Sequence, residues 1–120
     1  MTTHGGATRR RRQGTFEAAA AFHARLGADF YRRGLHTRAA QEFRRALVAD
    51  PASADVHNHL AIALNAQGLC VEAAAALRRA LTLDPAHADA RRNLALTLRA
   101  VGRGEELPPG VTSAHVARTN

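Results

Sequence analysis

Two histidines separated by one asparagine, His57-Asn58-His59, come nearest in this sequence to a metal-binding motif. Imidazole nitrogens are common ligands of transition metals. Residues two apart on a helix point in different directions, however, so His57 and His59 cannot share one ion. The same His-Asn-His order names a class of nucleases, but that chemistry uses residues spread over many more positions. We therefore expect no metal here and interpret His57 as a residue packed between helices.

The single cysteine, Cys70, is the next candidate for chemistry. It follows Leu69 at the predicted start of a helix, where the positive end of the helix dipole can make a thiol reactive. No His, Asp or Asn is positioned to activate it, so we interpret Cys70 as a small buried or half-buried spacer. One cysteine forms no intrachain disulfide, and no stretch approaches the ~20 apolar residues of a membrane span. The sequence thus predicts a cytoplasmic protein that is not an enzyme and needs no cofactor.

Four consecutive arginines, Arg9, Arg10, Arg11 and Arg12, carry +4 of the formal net charge of +7. Such a run can bind polyanions such as nucleic acid, an acidic membrane surface or an acidic protein. It has glycines around it and no interleaved aromatic residues. We expect residues 1–14 to be a disordered Arg-rich tail whose polyanion binding is lost as salt rises.

An internal repeat of 34 residues organises the rest of the chain. Offsetting the sequence by 34 positions aligns Gly34 with Gly68 and Gly102, and residues 44–51 with residues 78–85. Repetition at one fixed period is typical of a solenoid, in which each unit packs only on its neighbours.

Each unit is predicted to contain two helices, because apolar residues recur at steps of three and four. Gly34 ends the first helix of its unit, since glycine accepts the left-handed conformation beyond a helix end. Asp50-Pro51 and Asp84-Pro85 stop the second helices, and Ser53 is a plausible N-cap for the helix that follows. The expected helices cover residues 15–33, 36–49, 53–67, 70–83 and 87–101.

The residues at the recurring positions resemble the tetratricopeptide repeat family, whose pattern is Trp-x2-Leu-Gly-x2-Tyr, then Ala-x3-Phe, Ala and Pro. The first unit holds His23, Leu26, Gly27, Phe30, Ala39, Phe43, Ala46 and Pro51 at these positions. The second holds His57, Leu60, Ala61, Leu64, Ala73, Leu77, Ala80 and Pro85. The third begins with Arg91, Leu94, Ala95 and Leu98 and then breaks off.

This resemblance implies an all-α fold, a right-handed superhelical α-solenoid of antiparallel helix pairs with about five helices. The repeat domain would span residues 15–101, with repeats at 20–53 and 54–87 and a partial repeat at 88–101. We interpret the last helix as a solvating cap that turns Leu94, Ala95, Leu98 and Val101 inward. The segment 102–120 contains Pro108-Pro109-Gly110 and is expected to be a flexible tail.

The resemblance also implies where a partner would bind, because the first helix of each repeat lines a concave groove in this family. The expected groove residues are Tyr31, Arg32, Asp55, Asn58, His59, Ile62, Asn65, Asp89, Arg92, Asn93, Leu96 and Arg99. An asparagine amide suits a groove because it can both donate to and accept from a peptide backbone.

Two features limit the partners that this chain is expected to bind. Family members that bind the acidic tails of heat-shock chaperones use a clamp of Lys, Asn and Arg, and this chain lacks it. The corresponding residues are Ala24, Ala28, His59, Asp89 and Asn93. On the outer face, Arg44-Arg45 and Arg78-Arg79 repeat on successive helices, and we interpret them as an ordinary charged surface offset by Glu42 and Glu72.

The function that these features favour is a non-enzymatic interaction module, an adaptor or scaffold that binds a peptide or protein segment in its groove. One alternative is an accessory substrate-recognition or targeting component of a larger enzyme system, such as a protein glycosyltransferase. Another is a nucleic-acid binder that acts through the arginine tail. Two and a half repeats are close to the ~3 needed for independent stability, so self-association remains a further hypothesis.

Overall fold

The computed structural model describes the backbone of residues 3–102 and the side chains of residues 14–102. This part of the chain contains five α-helices and no strand, as the repeat pattern predicts. The helices are α1 Thr3–Arg32, α2 His36–Ala49, α3 Ala54–Ala66, α4 Cys70–Leu83 and α5 Ala88–Gly102. The bounds of α2 and α4 are those predicted, and those of α3 and α5 differ from the prediction by one residue at each end. The expected tail at 102–120 lies outside the described residues except for Gly102, which is the last residue of α5.

The first helix begins much earlier than the sequence predicts. α1 contains 30 residues and starts at Thr3, so the backbone of residues 3–14 is helical where a disordered tail was expected. Arginine, glutamine and alanine are good helix formers, and each residue added to an existing helix gains one hydrogen bond. The glycines at 5, 6 and 14 lower this tendency but do not end the helix. Within residues 3–102 no helix, α1 included, is both long and apolar enough to cross a membrane.

The two turns inside the repeats have the same backbone geometry. Gly34 and Gly68 have φ angles of 79° and 80°, the left-handed conformation that glycine adopts without strain. After α1, the amide of Leu35 donates to the carbonyl of Phe30 at 2.9 Å, and the amide of Gly34 donates to that of Tyr31 at 3.0 Å. The equivalent bonds after α3, from Leu69 to Leu64 and from Gly68 to Asn65, are both 2.9 Å. These paired bonds form a Schellman motif, which satisfies the last carbonyls of each helix.

The turns between repeats depend on aspartate and on helix caps. Asp50 accepts a bond from the amide of Ala52 at 3.2 Å, and Asp84 accepts the same bond from Ala86 at 3.1 Å. The predicted N-cap is confirmed, since the hydroxyl of Ser53 accepts from the amide of Val56 at 3.2 Å. At the start of α5, His87 takes this role through Nδ1, which accepts from the amide of Ala90 at 3.1 Å.

The core that joins these helices is built mainly from alanine. The helices α1, α3 and α5 form one layer, and α2 and α4 form the other. Between the layers, the buried cluster contains seven alanines and four larger residues from α2 to α4, together with Ala90 of α5. Its members are Ala39, Ala40, Phe43, Leu60, Ala61, Ala63, Leu64, Ala73, Ala76, Leu77, Ala80 and Ala90. Short side chains let the helices approach closely, as dense interior packing requires.

The face that the last helix turns inward agrees only in part with the predicted one. The buried residues of α5 are Ala90, Thr97 and Val101, whereas Ala95 is exposed and Leu94 and Leu98 are only half-buried. The prediction was right for Val101, right in part for Leu94, which packs against the buried cluster, and wrong for Ala95. The cause is that α5 contacts α4 and α3 on one side, while no helix of the described part covers its other side.

A close contact between α1 and α2 gives a test of this packing. A Cβ built on Gly27 would lie 2.8 Å from two ring atoms of Phe43, whose side chain is buried and has little room to move. In the second repeat the equivalent pair is Ala61 and Leu77. Ala61 is larger than Gly27, and Leu77 is smaller than Phe43.

We therefore expect Gly27→Ala to lower the free energy of unfolding by about 1 kcal/mol or more, because overpacking outweighs the gain in helix propensity. Urea unfolding monitored by circular dichroism measures this. Gly14→Ala is the control, since a Cβ at Gly14 meets no atom within 4 Å and should stabilise the helix by about 0.5–1 kcal/mol.

A double variant tests the contact itself. Gly27→Ala combined with Phe43→Leu recreates the pair of the second repeat, so the double variant should lose less unfolding free energy than the sum of the two single losses. Full additivity of the two substitutions would contradict this account.

Candidate peptide-binding groove

The predicted groove residues lie on the layer formed by α1, α3 and α5, and they fall into two groups by exposure. One group is exposed and contains Tyr31, Arg32, Asp55, His59, Asp89, Arg92, Leu96 and Arg99. The other group is buried or half-buried and contains Asn58, Ile62, Asn65 and Asn93. The sequence places all twelve on one surface but does not distinguish these groups.

The asparagines of the second group form hydrogen bonds that join α3 to α5 within the groove layer. Asn93 Nδ2 donates to Asn58 Oδ1 at 3.0 Å. One turn further along, Asn65 Nδ2 donates to Thr97 Oγ1 at 2.8 Å, and Thr97 Oγ1 donates to the carbonyl of Asn93 at 2.7 Å. We call these residues the amide network: Asn58, Asn65, Asn93 and Thr97. Asn58 and Thr97 are buried, at 4% and 2% exposed, so these bonds are made away from solvent.

The amide network changes how the predicted asparagines can be used. The expectation was that Asn58 and Asn65 offer free amides to a peptide backbone. Instead, Asn58 Oδ1 and Asn65 Nδ2 are already bonded to α5. Asn65 Oδ1 has no hydrogen-bond partner, and it is buried where a ligand atom cannot reach it without a shift of the side chain. An amide already satisfied inside the protein gains little from a ligand, because the exchange of partners is nearly neutral.

Most charged groups on the groove layer are paired with a neighbour. Arg92 is bonded to Asp89, and Arg32 lies 3.6 Å from Asp29. Asp55 Oδ1 accepts from His87 Nε2 at 2.7 Å, and this joins α3 to the start of α5. Because His87 Nδ1 accepts from a backbone amide, the proton of the neutral ring is on Nε2. Arg99 has no ion pair among the described side chains, residues 14–102, so it is the groove cation most available to a partner.

Three exposed side chains give the groove its apolar contact area. Leu96 is 54% exposed and Tyr31 is 37% exposed. The ring of His59 lies over Phe43 with a centroid separation of 5.7 Å, and Tyr31 packs beside His36 at 5.2 Å. Rings held in this way lose little conformational freedom when a partner binds, which favours them as contact residues.

The opposite face carries a concavity that the sequence interpretation missed. A cavity of about 640 Å³ lies between α2 and α4, and α3 forms its floor. Its apolar lining includes Leu47, Val48, Leu60, Leu64 and Leu83. Arg44 and Arg79 stand at this cavity, and Arg44 is paired with Glu72 at 3.4 Å. The exposed apolar residues Val48 and Leu83 signal this cavity only when the two helices are placed side by side.

The other candidates for chemistry lie outside the groove layer or are packed within it. His57 is buried and its Nε2 donates to the carbonyl of Pro51 at 3.1 Å, so it packs between helices as predicted. Cys70 is half-buried at the first position of α4, and its interpretation as a spacer stays a prediction. Among the described residues, no group of three His, Cys, Asp or Glu side chains could hold a metal ion. The side chains of Arg9 to Arg12 lie outside the described residues, and their backbone is part of α1.

The amide network gives a prediction for stability. Thr97→Val keeps the shape of the side chain but removes the hydroxyl between Asn65 and Asn93. A buried amide donor is left unpaired, which should lower the free energy of unfolding by about 1–3 kcal/mol in a urea titration.

The matched control is Thr82→Val, because Thr82 makes the same bond to the carbonyl four residues earlier, at 2.9 Å, on an exposed surface. The control should change stability by less than about 0.5 kcal/mol. Equal effects of both substitutions would show that the network contributes nothing.

Comparison with known proteins agrees with this architecture. A family profile described as tetratricopeptide repeat matches residues 24–88 and, in a second overlapping match, residues 66–106. A search of curated proteins gave no match. Together the two matches cover residues 24–106, which is more than half of the chain. Domains of this family generally mediate protein–protein interaction, and this chain belongs to the tetratricopeptide repeat family.

Proposed function

We propose that this chain is an adaptor that binds an extended segment of another protein on the groove layer, without catalysing a reaction. The proposal rests on one observation: within that layer, some side chains bond to each other and others are exposed. The amide network holds α3 and α5 together, and beside it Leu96 and Arg99 are exposed. Arg99 has no ion pair within the side chains that the structure describes, those of residues 14–102. A peptide-binding groove needs a rigid surface with a few exposed side chains that can contact the ligand. We call Leu96 and Arg99 the free anchors.

The free anchors indicate the chemistry of the partner segment. Leu96 offers an apolar contact, and Arg99 lies one turn away on the same helix, since residues three apart are neighbours on a helix surface. A partner residue with a carboxylate or carbonyl oxygen suits Arg99, and an apolar residue next to it suits Leu96. Beside these two residues, the charges of Asp89 and Arg92 offset each other. The proposed ligand is therefore a short segment that alternates apolar and acidic or polar side chains.

The affinity of such a site should be modest. The groove of two and a half repeats contacts only a short segment, and binding must offset the lost freedom of that segment. We expect dissociation constants in the range of about 1 μM rather than about 1 nM. A tighter complex would need contacts on the outer face or a second copy of the domain.

The test is a capture experiment with matched variants of the full chain. Immobilised wild type, Leu96→Ser/Arg99→Ser and Val48→Ser/Arg79→Ser are compared in the same cell lysate, and bound proteins are identified by mass spectrometry. The second pair is the control, because it removes the same kinds of side chain from the outer cavity: one apolar residue and one arginine that has no ion pair among the side chains of residues 14–102. Circular dichroism must show equal helix content for all three.

We expect a protein that binds wild type and the outer control and is weakened about tenfold or more by the groove pair, since an apolar contact and a charge-assisted bond are both lost. Loss with the outer pair alone would move the site to the cavity between α2 and α4. Equal binding by all three variants, or recovery of nucleic acid that salt removes, would refute the groove as the binding site.

A further inference from the structure

The first repeat holds a buried carboxylate between a histidine and an arginine. Glu42 is 5% exposed, and its Oε2 lies 2.7 Å from Nδ1 of His23 on α1. Its Oε1 accepts from Nη1 of Arg45, three residues later on α2. The three side chains thus join α1 to α2 through a carboxylate that is held away from solvent.

The second repeat keeps the histidine and the arginine and lacks the carboxylate. Adding 34 to the three positions gives His57, Ala76 and Arg79. All three line the cavity of about 640 Å³ between α2 and α4. The alanine is 6% exposed and has no atoms to fill the space of a glutamate side chain. This one difference therefore leaves open space at the cavity and removes the partner of the arginine.

Both nitrogen groups lack a partner for the side that faces this space. Arg79 is exposed and makes no ion pair with any of the described side chains. His57 is 6% exposed, and its ring bonds through Nε2 to the carbonyl of Pro51. Its Nδ1, the atom equivalent to the one that His23 uses, is unpaired among the side chains of residues 14–102. An unpaired polar atom of a buried side chain costs free energy, which a ligand that supplies the partner recovers.

We propose that this cavity binds a medium-chain fatty acid, a small carboxylate with an apolar tail. The carboxylate of the ligand takes the place that the Glu42 carboxylate has in the first repeat, between His57 and Arg79. Because Nε2 of His57 already donates to a carbonyl, Nδ1 can donate only from the doubly protonated ring, so binding takes up one proton. This site is independent of the groove, which lies on the opposite layer of helices.

The apolar part of the lining suits the tail of such a ligand. Leu60 and Leu64 of α3 form the floor, Leu47 lies on the α2 side and Leu83 on the α4 side. A volume of about 640 Å³ is typical of small-molecule sites, which are mostly apolar with a few polar groups. Each aliphatic group of the tail that leaves water against these leucines adds to the affinity.

The polar groups of the lining favour a fatty acid over a peptide segment. Arg44 and Glu72 are paired with each other at 3.4 Å, so their charges offset. The hydroxyl of Thr82 donates to the carbonyl four residues earlier in its own helix. A peptide would bring backbone amides and carbonyls that find few partners here beyond His57 and Arg79, whereas an alkyl chain brings none that need a partner.

The experiment is a titration of the full chain with octanoate, followed by the amide and methyl NMR shifts of the protein. Octanol has a similar tail without the charge, and N-acetyl-leucyl-leucine carries its carboxylate on a peptide. Arg79→Gln removes the proposed partner of the carboxylate. Arg78→Gln is the matched control, because Arg78 is the neighbouring arginine and does not line the cavity. Ala76→Glu restores the arrangement of the first repeat, so the new side chain should exclude the ligand, and circular dichroism checks the helix content of every variant.

We expect octanoate to bind the wild type with a dissociation constant of about 0.1–1 mM and to show Overhauser effects to the methyl groups of Leu60 and Leu83. Arg79→Gln should weaken binding about tenfold or more through the loss of a charge-assisted hydrogen bond. Ala76→Glu should abolish binding, and Arg78→Gln should leave it unchanged. Binding should be stronger at about pH 6 than at about pH 8, because His57 takes up a proton.

Three results would overturn the proposal. Absence of octanoate binding would remove the site, and equal affinity for octanol, or equal binding by Arg79→Gln and the wild type, would remove the role of the carboxylate. Tighter binding of N-acetyl-leucyl-leucine would assign the cavity to the carboxyl terminus of a peptide. None of these results changes the expected binding at the groove, since Leu96 and Arg99 lie on the other layer.

Discussion

Close approach of the helices is the constraint on which the rest of this structure depends. The core consists largely of alanines, and at Gly27 even a methyl group would collide with Phe43. Small side chains bring neighbouring backbones together, and only then can short polar side chains reach across from one helix to the next. The 2.8 Å bond from Asn65 to Thr97 and the 3.0 Å bond from Asn93 to Asn58 need this proximity. The polar bonds between α3 and α5 are thus a consequence of the apolar core beneath them.

The same constraint decides which groove residues remain available to a partner. Side chains that point between α3 and α5 are used by the amide network, and charged residues of the same layer pair with a neighbour where one is close, as Arg92 does with Asp89. Leu96 and Arg99 lack such a neighbour, because no further repeat follows α5 in the described residues. The proposed binding surface therefore lies on the last helix of the described residues, where the side chains of α5 have no following helix to contact within that part of the chain.

Much of the fold could be predicted from the sequence, because the features that define it are local and repeated. Gly34 and Gly68 fix the turns inside the repeats, and Asp50 and Asp84 fix the turn between repeats and the turn before α5. The start of α1 could not be predicted, since several weak helix preferences compete there with three glycines. Likewise, the face that α5 turns inward depends on which helices pack against it, and the spacing of apolar residues in α5 does not identify those helices. The twelve candidate groove residues could be assigned from the sequence to the layer of α1, α3 and α5, but whether an asparagine is free or bonded to another helix depends on distances that a sequence does not contain.

The most direct measurement of this account is a double-mutant cycle between Asn58 and Asn93. Asn58→Ala, Asn93→Ala and the double variant are unfolded with urea, and the coupling free energy is taken from the four stabilities. If the two amides bond across α3 and α5, the cycle should give a coupling of about 0.5–1.5 kcal/mol in the absence of any partner. If the two single effects add to within about 0.3 kcal/mol, the amides do not hold the groove layer together. The distinction between the amide network and the free anchors, Leu96 and Arg99, is then wrong.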